Sequence, residues 1–499
     1  MLIRLDRQGK AETAGLGKGA GERERRLDLS EVPEARPVRS EAPECRNAKK
    51  PKMPAGPMCR NAGFRKVSLQ RHFCQNDSYN DIFAKLVIIK IFLLTLSVKA
   101  FCPMKTLVRQ SEVLLKHTPT KHVRRLYDEI SWQARLIGIK GARGVGKTTL
   151  LLQRIKLAFP DASKALYVSL DDLWFAGHNL LDLAALAQES GITHLFIDEV
   201  HRLRGWERQI KNIYDFYPTL NIVFTGSSLL EIDHAIADLS RRCLLYNLSG
   251  LSFREYLAFQ GTAIGPLSLS EILYAHERVV PEIPERQEIL SRFRKYLRHG
   301  FYPFYTTETE ADYLMRVNNM IAGVIDYDIP AVENVEYATL LKAKQLVTVI
   351  ASQAPSPLNA KNTAEMLGVT KNQLIKLLSL LERSQILRLL YYKAERNPKS
   401  MTKPQKVLFD NPSLLYAAGY ADIGKVRESF LASMLARQHE IAYPREGDLL
   451  VDGRYIFEVG GAGKGFRQIR DLPDSFVAAD DIVSGLGNKI PLWLFGFLY

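Results

Sequence analysis

The amino-acid sequence predicts an α/β protein whose core is a doubly wound, five-stranded parallel sheet. Two observations predict it: short apolar runs alternate with helix-like stretches, and a glycine-rich loop joins the first run to the next helix. Each run is almost continuously apolar, as expected for a strand covered by helices on both faces. The predicted strands span residues 136–140, 165–170, 194–198, 221–225 and 243–248.

The glycine-rich loop lies in "LIGIKGARGVGKTTLLLQ" and fits the pattern G-x-x-x-x-G-K-[ST]. Glycines let the backbone curl so that its N–H groups surround a phosphate, and the dipole of the following helix adds positive potential. We therefore expect a nucleotide here, with the lysine on the β- and γ-phosphates and Thr148 on Mg²⁺. The predicted nucleotide-binding residues are Gly141, Ala142, Arg143, Gly144, Val145, Gly146, Lys147, Thr148 and Thr149.

The third strand ends in two acidic residues, in "THLFIDEVHRL". An acid at this point of the sheet holds Mg²⁺, which makes Asp198 the predicted partner of Thr148. A carboxylate one residue later can accept a proton from an attacking water, so Glu199 is the candidate general base. A GTPase would usually carry an N-K-x-D motif, which the sequence lacks, and a kinase would need an acceptor site. The pair therefore favours hydrolysis of ATP.

Two further groups of polar residues follow the fourth strand. In "NIVFTGSS" that strand is expected between the first and third strands, and Ser227, or Thr225 or Ser228, could orient the water or sense the γ-phosphate. Ser228 could equally cap the next helix. Arg241 and Arg242 precede the fifth strand and could reach the nucleotide of a neighbouring subunit. The alternative is an arginine pair that forms surface ion pairs.

Residues 250–350 are predicted to form a helical lid, and residues 358–409 a helix-turn-helix with a wing. Gly368 is expected to end the first helix of this unit, and Thr370 with Gln373 to form a capping box at the second. Residues 361–406 carry 10 Lys or Arg against 3 Asp or Glu, a net charge of +7. That concentration suits a phosphate backbone, so DNA is a candidate partner. A contact with a protein, or plain solvation of the charges, is the alternative.

The C-terminal segment contains "GDLLVDGRYIFEVGGAGKGF", which resembles the site of restriction-type nucleases. In such a site two carboxylates, here Asp448 and Glu458, hold Mg²⁺ and a lysine two residues after the second steadies the hydroxide. Gly460 stands at the lysine position, Lys464 is the nearest replacement, and Glu428 could add another acid. The glycine favours a nuclease-like fold without activity over an active nuclease.

The first 103 residues differ in composition from the remainder. They carry 20 Lys or Arg against 11 Asp or Glu and hold four of the five cysteines. Residues 1–60 have the composition of a disordered segment. Residues 83–101 are apolar, but three lysines interrupt them and leave no run long enough to span a bilayer. We expect the functional protein to begin at Met104 and to be cytoplasmic, without a membrane segment.

The chain from about 104 to 499 resembles a family of bacterial and archaeal AAA+ ATPases with a winged-helix-like region and a C-terminal nuclease-like domain. The resemblance rests on the glycine-rich loop and on "LFIDEVHRLRGWERQIKNIYD", "IVFTGSS", "DLSRR" and "LSGLSFREYLAF". It implies that Lys147 and Thr148 bind nucleotide and Mg²⁺, that Asp198 and Glu199 serve hydrolysis, and that Arg241 or Arg242 approaches a neighbour in an oligomer.

Together these features predict a Mg²⁺-dependent ATPase that couples nucleotide state to a conformational change. Two alternatives remain: a nucleotide-gated switch that binds DNA or a protein with little hydrolysis, and an ATP-driven nuclease. The predicted divisions are a leader at 1–103, an ATPase core at 104–249, a lid at 250–350, a winged-helix-like region at 351–412 and a nuclease-like domain at 413–499.

Overall fold

A computed structural model describes residues 103–226, 239, 241–332, 335–353, 357–393 and 404–499. Residues 1–102 of the predicted leader, which include its apolar stretch, lie outside the described residues, as do Ser227 and Ser228. Within the described ranges, no helix is both long and apolar enough to cross a lipid bilayer.

The predicted parallel sheet is confirmed. Its strands lie in the order β2-β3-β4-β1-β5, and every neighbouring pair is parallel. The fourth strand lies between the first and the third, as the sequence predicted. Apart from the edge strand β5, these strands are almost wholly buried, which explains their continuous apolar runs. The strands are β1 (Leu136–Lys140), β2 (Ala165–Ser169), β3 (His194–Asp198), β4 (Asn221–Gly226) and β5 (Leu244–Asn247).

Helices connect these strands, and the register of the sheet fixes where the polar residues emerge. Ser169 pairs with Asp198, and Lys140 pairs with Gly226, so the carboxyl ends of four strands share one edge. In an open α/β sheet this edge is where ligands bind. The helices of this part are α1 (Pro103–His117), α2 (Leu126–Glu129), α3 (Lys147–Ala158), α4 (Leu180–Glu189) and α5 (Trp206–Phe216).

A helical region follows β5 and begins with a capping box. Ser252 accepts a bond from the Glu255 N–H, and the Glu255 carboxylate accepts one from the Ser252 N–H. A π-helical turn, Val324–Asp328, interrupts the region. The helices are α6 (Phe253–Phe259), α7 (Leu269–Tyr274), α8 (His276–Glu282), α9 (Ile289–His299), α10 (Glu310–Gly323), α11 (Ile329–Val332) and α12 (Tyr337–Ser352).

Two helices and an antiparallel strand pair come next. Gly368 ends α13 (Ala360–Leu367) with a left-handed backbone, and Thr370 with Gln373 forms the predicted capping box of α14 (Lys371–Arg383). The strands β6 (Leu387–Leu390) and β7 (Lys406–Phe409) pair directly after them.

The C-terminal part is a mixed five-stranded sheet beside two helices. Its strand order is β12-β11-β10-β9-β8, with β10, β11 and β12 parallel and β8 and β9 antiparallel. The elements are α15 (Pro412–Ala417), α16 (Ile423–Leu435), β8 (Ile441–Ala442), β9 (Leu449–Val451), β10 (Tyr455–Gly460), β11 (Ser475–Ala479) and β12 (Lys489–Pro491).

One hydrophobic cluster runs from the parallel sheet through the helical region to the C-terminal sheet. Phe253 of α6 lies against Phe293 of α9 and against Phe497, and Phe293 in turn contacts Phe430 of α16. The helical region is therefore packed on the C-terminal part as well as on the core.

Candidate nucleotide site

The glycine-rich loop occupies 141–146, between β1 and α3. Gly144 and Gly146 have φ angles of 77° and 98°, which side chains rarely adopt. At Gly141 a Cβ atom would lie 2.2 Å from the Leu248 carbonyl oxygen, so a side chain there would displace the backbone after β5. Glycine is therefore required at each of these three positions, either by the backbone angle or by the close approach of another atom.

The Lys147 side chain curls back over this loop. Its Nζ donates to the carbonyl oxygens of Gly141, at 2.8 Å, and Ala142, at 3.0 Å. Burial lowers the pKa of Lys147, while the charges of Glu199 and Asp198 act in the opposite direction. The ammonium therefore lies inside the loop, at the first turn of α3, where phosphate oxygens can replace the two carbonyl acceptors.

The structure brings together the two predicted magnesium ligands. The Thr148 hydroxyl donates to Asp198 Oδ2 at 2.5 Å, and Asp198 is buried. The Tyr167 hydroxyl donates to the same oxygen at 2.9 Å, and the Thr225 hydroxyl donates to Oδ1. Burial, and after it the Asp198 charge, raises the pKa of Tyr167. Hydroxyl and carboxylate oxygens are the ligands that Mg²⁺ prefers, so these residues fit that ion.

Glu199 lies beside this group with an unusual backbone. Its φ of 54° and ψ of 47° are left-handed, which is uncommon for a non-glycine residue. Its N–H donates to Asp198 Oδ1 at 3.1 Å, which holds the residue at the tip of β3. Its Oε2 lies 3.2 Å from Nδ1 of the buried His201. Burial lowers the pKa of His201 to about 4 although Glu199 opposes this, so the imidazole is neutral at pH 7.

The helical region reaches the loop through an ion pair that the sequence did not reveal. Arg143 of the loop binds Asp328 of the π-helical turn, with 2.5 Å between Nη2 and Oδ1. Burial raises the pKa of Asp328, and Arg143 opposes this effect. A Cβ atom at Gly144 would lie 2.9 Å from the Phe304 ring and 3.1 Å from the Met320 methyl, so the lid touches the loop closely.

Arg124 forms a second contact to the loop, from the other side. Its Nη1 donates to the Val145 carbonyl at 2.8 Å, and its Nε and Nη2 each lie 3.0 Å from the Glu255 carboxylate. Its Nη2 also donates to the carbonyls of Ser249 and Gly250. The "LSFREYL" segment therefore supplies the counter-ion of the arginine that holds the loop, a role that no local pattern reveals.

The other predicted site residues take different positions. Thr149 is exposed on α3, and Ser227 lies outside the described residues. Arg241 is exposed, whereas Arg242 binds Asp215 at 3.1 Å and lies 5.9 Å from the Tyr214 ring. Arg242 thus forms a surface ion pair within its own chain.

The basic region also divides between internal and exposed charges. Arg388 is paired with Asp410, and Lys406 is buried against two carboxylates. Lys361 and Lys393 are exposed. Part of the net charge of residues 361–406 is therefore neutralised inside the protein.

Comparisons with known families agree with the position of this site. The family described as "AAA domain" matches residues 133–257, and a domain of unknown function, DUF8612, matches residues 290–425. The uncharacterised protein MJ1637 of Methanocaldococcus jannaschii is 30% identical over 398 residues, which cover 71% of this chain and 81% of that protein.

Solved structures give weaker matches. AMPPCP-bound DnaA from Aquifex aeolicus is 16% identical, over 55% of this chain and 87% of that chain, with a TM-score of 0.23. C. elegans PCH-2 is 19% identical, over 42% of this chain and 63% of that chain, also with a TM-score of 0.23.

Proposed function

Because the chain belongs to the family of MJ1637 and has an AAA domain as its core, we propose that it is a Mg²⁺-dependent ATPase whose nucleotide state changes its conformation. The observation that carries this proposal is the bond from the Thr148 hydroxyl to Asp198, at 2.5 Å. It joins the two predicted metal ligands, from α3 and β3, directly beside the buried Lys147.

Each residue has a separate task in this proposal. The loop N–H groups and Lys147 bind the β- and γ-phosphates, and Thr148 with Asp198 would hold Mg²⁺. When bound, the ion neutralises charge on the phosphate oxygens. Tyr167 and Thr225 fix the Asp198 carboxylate through their hydroxyls.

Glu199 accepts a proton from the attacking water, and the neutral His201 beside it leaves that carboxylate able to act as a base.

Turnover and binding assays on the full chain test this proposal. Glu199→Gln should bind ATP as the wild type does and lose at least about a hundredfold in turnover, since general bases contribute roughly 10²–10⁴-fold. Glu189→Gln, an exposed acid at the end of α4, is the matched control and should change neither quantity. Equal, slow turnover in the wild type and Glu199→Gln would favour the nucleotide-gated switch. Full ATP affinity in Lys147→Ala, measured by calorimetry, would refute the nucleotide site itself.

We further propose that the active form is a cytoplasmic homo-oligomer and that residues 361–406 contact DNA. The exposed Arg241 suits an approach to a neighbour's nucleotide, and the two helices before the β6–β7 pair suit a winged-helix unit. Arg241→Ala should lower turnover only at concentrations where oligomers form, as judged by sizing with ATP.

DNA should raise turnover, and Lys361→Glu with Lys393→Glu should remove this stimulation. An unchanged response to DNA would contradict the contact.

A further inference from the structure

A second cluster of buried charges lies where β7 meets the C-terminal sheet. The Lys406 ammonium donates to Glu428 Oε1 at 2.8 Å and to Asp448 Oδ1 at 3.0 Å. The Lys406 side chain is 6% exposed and that of Glu428 is 10% exposed. Asp448 Oδ2 accepts the Val459 N–H at 2.9 Å, which fixes this carboxylate against β10.

A second lysine neutralises the next carboxylate of the same cluster. Lys464 forms an ion pair with Glu458, whose side chain is 2% exposed. A Cβ atom at Gly460 would lie 2.6–2.8 Å from the Lys464 Cβ, Cγ and Cδ atoms. The Lys464 chain therefore passes over Gly460, through the space that a side chain at that position would fill. Glycine at this position is what lets the later lysine reach Glu458.

A restriction-type nuclease would hold Mg²⁺ between carboxylates in this place, and the residues present do not fit that ion. Mg²⁺ requires oxygens at about 2.0–2.1 Å in octahedral geometry. Here the two oxygens lie 2.8 Å and 3.0 Å from an ammonium nitrogen, a spacing typical of charge-assisted hydrogen bonds. Among the described residues, no group of three or more His, Cys, Asp or Glu has a metal-binding arrangement.

We propose that the Lys406 ammonium takes the place of a divalent metal ion between Glu428 and Asp448, so that this nuclease-like sheet is closed to metal. The lysine belongs to β7, the return strand of the β6–β7 pair, and its two partners belong to α16 and to the residue before β9. It therefore also ties the strand pair to the C-terminal sheet. This inference does not depend on the ATPase proposal, because no residue of the nucleotide site takes part in it.

Mn²⁺ binding to the full chain tests the inference, measured by calorimetry without nucleotide. All variants carry Asp198→Asn, which removes the proposed metal site of the nucleotide loop. We expect Lys406→Met to bind one Mn²⁺ at least tenfold more tightly than the parent, and Lys406→Met with Asp448→Asn to lose that gain. Lys464→Met is the matched control: it removes a lysine of the same cluster but keeps Lys406, and should gain no Mn²⁺.

Three results would overturn the inference. The first is a gain of Mn²⁺ binding by Lys464→Met, and the second is the absence of any gain by a folded Lys406→Met. The third comes from Asp448→Asn alone, which stays informative if Lys406→Met fails to fold. We expect this variant to bind as much Mn²⁺ as the parent, and the loss of one Mn²⁺ per chain would show that a metal ion occupies the cluster.

Discussion

The buried pair of Arg124 and Glu255 gives the sharpest test of how the loop is supported. Both side chains are 7% exposed, and the arginine holds the Val145 carbonyl of the loop. Burial acts to raise the pKa of Glu255, but the Arg124 charge and hydrogen bonds to the carboxylate hold it below its ordinary value. Glu255 is therefore ionised at neutral pH, and Glu255→Gln removes the negative charge that is paired with Arg124.

Removing one partner of a buried ion pair costs about 3–5 kcal/mol, because the other charge stays buried. We expect the lower end for Glu255→Gln, since three backbone carbonyls still accept bonds from Arg124 and glutamine can still cap α6. Glu129→Gln is the control: Glu129 pairs with Arg125 at 2.7 Å, but the side chains are 47% and 33% exposed. This exposed pair should contribute only about 0.3–0.5 kcal/mol.

Urea unfolding, followed by tryptophan fluorescence without nucleotide, measures both variants. The midpoint of Glu255→Gln should fall well below that of Glu129→Gln, which should match the wild type. If the two variants unfold within about 1 kcal/mol of each other, the buried pair does not support the loop as we argue.

Three further predictions concern the loop and the residues around it. Asp328→Asn should raise the affinity for ATP several-fold in calorimetry, because it frees Arg143 to bind the incoming phosphates. The control is Asp326→Asn in the same π-helical turn: Asp326 pairs with Lys344 and not with Arg143, so this change should not alter the affinity. Burial lowers the pKa of His201 from 6.5 to about 4, so between these values the unfolded chain binds a proton that the folded chain does not. The free energy of unfolding therefore decreases as the pH falls from 6.5 towards 4, and His201→Gln should make the accompanying fall of Tm less steep. Parallel Tm curves would contradict this. Gly144→Ala should destabilise the protein by about 1–3 kcal/mol in urea, because of its positive φ and the lid side chains against it; an unchanged midpoint would contradict this contact.

The sequence predicted those parts of the fold that depend on local patterns. The limits of the five core strands lie within one residue of the predicted limits, since continuous apolar runs and the polar residues that end them are both visible in the chain. The glycine-rich loop and the pairing of Thr148 with Asp198 were predictable for the same reason, because strand ends of a parallel sheet meet at one edge.

The rest of the site depends on contacts between distant parts of the chain. Arg124 and Glu255 are 131 positions apart, and Arg143 and Asp328 are 185 apart. Neither pair belongs to a local motif, so only the folded chain shows that they meet at the loop. Tyr167 lies in an apolar run, and nothing in that run indicates that its hydroxyl reaches Asp198.

The two arginines that contact the loop differ in a way that decides which side of it can move. Arg124 is 7% exposed and has four acceptors, so releasing it would leave a buried charge, at a cost of about 3–5 kcal/mol. Arg143 is 26% exposed and pairs with one carboxylate, that of Asp328, so phosphate oxygens can reach the guanidinium and take the place of this carboxylate. The Asp328 side chain is only 7% exposed, so the exchange leaves its carboxylate buried without a partner. The "LSFREYL" side is also anchored by Ser252 and Arg254, which both donate to the Tyr499 carbonyl. A nucleotide should therefore act on the π-helical turn at Val324–Asp328, while α6 and the C-terminal residues stay fixed to the core.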